Sequence, residues 1–134
     1  MLQRIRSLLV MALCTSIWGG VRAADLYVIC HSGVALGSAD IRDVFLGERQ
    51  FAGTIKLLPA DNGALQSAFL EKALKMDATK YSTLWTKKSF REGLNPPPVK
   101  GSDGEALEYV KRTAGACSYV TAQPADGVVV VGKL

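Results

Sequence analysis

The chain is poor in the residues that carry chemistry. It has one histidine, His31, and three cysteines. No Cys-x-x-Cys pair occurs, and His31 adjoins Cys30, so on a strand the two side chains point to opposite faces. Zinc therefore has no ligand set. There is no Gly-x-Ser-x-Gly segment, no Walker motif and no dinucleotide glycine pattern. Ser32 follows His31 directly, a poor placement for a nucleophile and its base. The carboxylates are scattered, with no two marked as an acid–base pair. Internal repeats and low-complexity segments are also lacking. The sequence thus predicts no enzyme, no cofactor and no metal.

Positive charge is scarcer than it first looks. The chain has 16 basic and 12 acidic residues. Residues 1–23 read as a secretory signal: Arg4 and Arg6, an apolar stretch from Leu8 to Trp18, then Val21-Arg22-Ala23 as a small-residue cleavage site. The stretch is too short for a convincing membrane span. Bulky Leu13 before Cys14 argues against a lipoprotein signal. Three basic residues (Arg4, Arg6, Arg22) and no acidic ones lie in this segment, so the mature chain, residues 24–134, carries 13 against 12. Such a balance gives no support for a nucleic-acid partner. Lys87, Lys88 and Arg91, in the stretch KKSFR, read as a solvated helix end. The expected location is periplasmic or secreted, without a membrane span after cleavage. In an exported chain the remaining pair, Cys30 and Cys117, suggests a disulfide, with two buried free thiols as the alternative.

The mature chain reads as one α/β domain. DLYVICH (25–31) is a strand, broken by Ser32-Gly33. Ile41, Val44 and Phe45 recur at helical spacing, with Ser38 as N-cap and Gly47 beyond the end. TIKLLP (54–59) is a second strand. Leu65, Phe69 and Ala73, beside Leu70 and Leu74, stripe a second helix. Asp77 caps a third, in which Tyr81, Trp85 and Phe90 are expected in the core. Asn95-Pro96-Pro97-Pro98 is an extended connector. Ser102 and Glu105 form a capping box for a fourth helix that ends near Gly115. ACSYVT (116–121) and GVVVVG (127–132) close the domain, the latter reading as a strand covered on both faces. Strands alternating with helices predict a three-layer sandwich with a mainly parallel central sheet.

The stretch PADNGALQSAF (59–69) poses the functional question. Its turn residues either cap the second helix, through Asp61 or Asn62, or aim free helical amides at an anion. The order of motifs bears on the choice. Ile41-Arg42-Asp43-Val44-Phe45-Leu46-Gly47, LLPADNG with Phe69, Tyr81-x-x-x-Trp85, Phe90-x-x-Gly93 and TAGACSYV (113–120) together resemble one lobe of the phosphate-binding proteins of ABC transporters. These are type II periplasmic binding proteins. The resemblance covers about residues 26–121 and concerns the second lobe alone.

The family closes two lobes around an oxyanion, and the resemblance implies a cradle at Asp61, Asn62, Gly63 and Ala64, with Ser32 and Gly33 as further ligand-binding positions. Family members carry Asp-Gly-Ser-Gly-Thr there, with an arginine just before. Here Asn62, Gly63, Ala64 and Leu65 follow Asp61, and Pro59 stands about where the arginine would be. The missing arginine and hydroxyls would each supply a bond worth roughly 1.5–3 kcal/mol. An isolated lobe would then hold phosphate or another small oxyanion only weakly. Two functions follow: an exported solute-binding protein with an eroded oxyanion site and a transporter as partner, or a ligand-free interaction or regulatory module of the cell envelope. The resemblance also implies that the segments of Cys30 and Cys117 run side by side, which makes their pairing plausible.

Overall fold

The β-branched run Tyr27–His31 forms strand β1 at the centre of the molecule. The computed structural model describes residues 25–122 and 126–134. The segment 1–23 read as an export signal lies outside the described residues. After β1 come a 3₁₀ turn at Ser38–Asp40 and helix α1, Ile41–Phe45. The N-cap is Gly37 rather than Ser38, and the Gly37 amide donates to Asp40 Oδ2 at 2.9 Å.

The single strand expected over 54–59 is divided. Strands β2 (Phe51–Ala52) and β3 (Ile55–Lys56) pair as a small hairpin. Strand β4, Leu58–Pro59, instead joins the main sheet, and β5, Asp61–Asn62, follows at once. Helix α2 spans Gln66–Phe69 and runs on as a π-helical turn, Leu70–Leu74, that ends at left-handed Lys75. Helix α3 covers Ala78–Glu92, with the expected cap: the Lys80 amide donates to Asp77 Oδ1 at 2.8 Å. Strand β6 is Val99–Lys100 and helix α4 is Asp103–Arg112. Ser102 Oγ accepts from the Glu105 amide, while the Glu105 carboxylate accepts from Gly101. Strands β7 (Ala116–Val120) and β8 (Val128–Lys133) complete the chain.

The main sheet has the order β4-β7-β1-β8. It is mixed, not mainly parallel: β4 and β7 are parallel, whereas β1 is antiparallel to both β7 and β8. The parallel order is broken by β1, which lies between β7 and β8 and runs against both. Helices cover both faces, so the layered α/β arrangement stands. Val28, Cys30, Cys117 and Tyr119 face a core shared with α1, α2 and α3. There Phe69 stacks on Tyr119 at 3.9 Å between centroids and meets Phe45 edge-on. Ile29, Ala116 and Val120 face α4 through Ala106 and Val110. The alternation follows the two-residue period of a strand.

Two expectations about burial fail for geometric reasons. Strand β8 lies at the sheet's edge, and Val130 is 49% exposed, so the valine run is not covered on both faces. Phe90 is 87% exposed, although Tyr81 and Trp85 are buried. Five residues beyond Trp85, it sits about 140° round the helix from the buried stripe. Gly115 does not end α4, whose C-cap is Thr113 in an extended conformation. It turns the chain into β7 at φ +81°, where a Cβ would collide with the Lys56 carbonyl.

Cys30 lies directly opposite Cys117 in the antiparallel β1–β7 pair. The two form a disulfide with Cα atoms 4.0 Å apart, and both residues are buried. Such a bond fits an oxidising compartment. Among the described residues no helix is long and apolar enough to cross a membrane.

Candidate functional site

The Pro59–Gln66 segment enters the core before it turns. Ala60 is held on β7 by its amide, which donates to the Cys117 carbonyl, and by its carbonyl, which accepts from Ser118 Oγ. That fixes Asp61 and Asn62 as strand β5, and their side chains are almost wholly inaccessible, at 1% and 0%. Neither caps α2, whose N-cap is Leu65 without a side-chain bond.

Each polar atom of this pair has an internal partner. Tyr81 Oη donates to Asp61 Oδ2 at 2.8 Å, and Tyr119 Oη donates to Asp61 Oδ1 at 2.9 Å. Asn62 Nδ2 donates to Asp103 Oδ1 at 2.8 Å and to the Tyr119 carbonyl at 3.0 Å. Asn62 Oδ1 accepts from the Ala64 amide at 3.2 Å. Asp103 Oδ2 in turn accepts from the amide and hydroxyl of Thr121, at 2.9 and 2.6 Å. The network ties β5 to α3, α4 and β7. Of the backbone amides of Gly63 to Gln66, the candidates for an anion cradle, three are bonded internally: Gly63 to the Lys100 carbonyl, Ala64 to Asn62 Oδ1 and Leu65 to the Asn62 carbonyl.

Charge follows burial here. Desolvation raises the Asp61 pKa, against the bonds from Tyr81, Tyr119 and Gln66 that favour its carboxylate. Burial, and then the charge of Asp61, push both tyrosine hydroxyls well above their usual range. Burial also works to raise Asp103, but the bonds from Thr121, Asn62 and Ala122 outweigh it and hold this carboxyl below its ordinary value.

Ser32 and Gly33 are not brought to this turn. They are exposed in the loop after β1, where the Gly33 amide meets His31 Nδ1 at 3.4 Å. Cys30 pairs with Cys117 and Val28 with Tyr119, the residue that holds Asp61. Ser32 therefore lies about four strand residues, roughly 13 Å, from the level of Asp61. Grouping it with Asp61 presupposes parallel strands, and β1 runs the other way.

A cleft of about 450 Å³ borders Asp61, with Gln66, Tyr81, Trp85, Pro96, Pro97 and Val99 along it. Trp85 Nε1 is buried without a hydrogen-bond partner. Among the described residues no group of three or more histidine, cysteine or acidic side chains could hold a metal ion. The sequence marks Asp61 and Asn62 but not the side chains that hold them. Tyr119 stood in the quoted ACSYVT strand and Asp103 beside the Ser102 cap, each with a local reason to be there. No protein-family model matches the chain, and comparison with curated protein sequences gives no match.

Proposed function

We propose that this is an exported, non-catalytic protein built like the second lobe of the phosphate-binding proteins of ABC transporters. In this reading its oxyanion cradle has become a structural node, and it works as an interaction module of the cell envelope. The observation that carries the reading is the closure of Asp61 by two tyrosine hydroxyls. An anion at this turn would have to break bonds to three amides and displace a tyrosine from a buried carboxylate. The acceptors left without these bonds, the Lys100 and Asn62 carbonyls and Asn62 Oδ1, would cost about 1–3 kcal/mol each where they stay buried. Among the described residues, no arginine lines the cleft beside Asp61.

A solute-binding role has one observation in its favour, the cleft beside Asp61 with the unpartnered Trp85 Nε1. In that second reading the ligand is a small oxyanion that keeps a proton to donate, and the partner is a transporter. Calorimetry of the mature protein with phosphate separates the two. The first reading expects no saturable heat up to millimolar phosphate. Saturable binding that disappears in Asp61→Asn would favour the second.

A further inference from the structure

Helix α3 turns two different faces outward and inward. Its inward face holds Tyr81 and Trp85, and Lys88 lies beside them, paired with Glu48 at 2.8 Å and near Glu92 at 4.0 Å. Its outer flank carries Lys80, Lys87 and Arg91, all exposed and none in an ion pair among the described residues. At 100° per residue the three cations fall within a sector of about 40°, and Phe90 lies about 60–100° from them on the same outer side. They extend over about 16 Å of helix. Phe90, at 87% exposure, is the most exposed large hydrophobic residue described.

The shape of this flank narrows the partner. The shallow depression there is lined by α3 residues alone, among them Lys80, Thr83, Leu84, Lys87 and Arg91. No second element forms an opposing wall, so an extended or helical peptide finds no groove to enter. A convex helical face with unpaired cations and a protruding aromatic suits a broad anionic surface. The cations meet headgroups, and the ring enters the boundary between headgroups and acyl chains.

We propose that the outer flank of α3 docks the protein peripherally on a membrane surface rich in anionic phospholipid. Lys80, Lys87 and Arg91 supply the attraction, and Phe90 supplies the insertion. This surface is separate from the Asp61 turn, so it stands or falls independently of the reading of that turn.

The test is cosedimentation of the mature protein with phosphatidylcholine vesicles, with and without an equal part of phosphatidylglycerol. Binding is expected only with phosphatidylglycerol, and it should fall as salt is raised. The double variant Lys87→Glu/Arg91→Glu should bind at least about tenfold more weakly at unchanged thermal stability. In a Phe90→Trp variant, emission should shift to the blue on anionic vesicles and stay unshifted on neutral ones. Equal binding to both vesicle types, indifference to the charge reversals, or emission from the Phe90→Trp variant that anionic vesicles leave unshifted would overturn the proposal. So would binding to soluble polyglutamate without binding to vesicles, which would make the flank a protein-docking face.

Discussion

The turn at Asp61 and the outer flank of α3 both concentrate polar groups, and they dispose of them in opposite ways. At the turn, the Asp61 carboxylate, the Asn62 amide side chain and two tyrosine hydroxyls are bonded inside the fold, with Asp103 and three backbone amides bonded at its margin. On the flank, three cations stand in solvent without an ion-pair partner among the described residues, beside an exposed ring. Satisfied buried groups rigidify a core, and disturbing them is costly. Exposed, unpaired ones cost the fold little and remain free to meet something else. Sequence motifs draw attention to the first region, whereas the capacity for contact lies in the second.

Breaking the inner region should have the largest effects. Loss of the Cys30–Cys117 bridge, in a Cys30→Ala/Cys117→Ala variant, frees a sequence separation of 87 residues. The chain-entropy model puts the loss near 4–5 kcal/mol, to be read as a lower denaturation midpoint. Asp61→Ala strands the hydroxyls of Tyr81 and Tyr119 in the core and should lower stability by about 2–4 kcal/mol. A loss under about 0.5 kcal/mol would mean that the turn is not a structural node.

The pH dependence sharpens the contrast within the node. The Asp61 pKa is raised in the folded state, so its contribution to stability is fully present below the unfolded value and fades as pH rises through the folded one. Asp61→Asn should remove that decline. The Asp103 pKa is lowered, so its contribution is present above the unfolded value and is lost as pH falls through the folded one. Asp103→Asn should therefore cost more stability at neutral than at acidic pH. Denaturation profiles of both variants against pH would show slopes of opposite sign.

The smallest effect belongs to the outer flank. Phe90→Ser and Lys87→Glu should change stability by less than about 0.5 kcal/mol, since neither side chain is packed. A larger loss in either would show that the flank is part of the core after all.

Local signals carried much of the architecture. Asp77 and Ser102 announced helix starts that the structure confirms, because a cap bonds within three residues. Cys30 and Cys117 were paired correctly. What could not be read depends on partners far along the chain. Tyr81 and Tyr119 reach Asp61 across 20 and 58 residues, and nothing in the segment PADNG foretells two hydroxyl donors. The direction of β1 against β7 is likewise non-local, and with it the separation of Ser32 and Gly33 from Asp61. Phe90 is a different failure. Its aromatic character suggested burial, while its angular position on α3 already placed it off the buried stripe.

The claim that the Asp61 turn is a closed internal node can be tested at the atom concerned. The carboxyl carbon of Asp61 would be followed by nuclear magnetic resonance while phosphate is added to the mature protein, at fixed pH and ionic strength. Because both oxygens are held by tyrosine hydroxyls, the resonance should keep its position throughout the titration. A saturable shift of that resonance, accompanied by shifts at the Gly63–Leu65 amides, would contradict the account and restore the turn as an anion site.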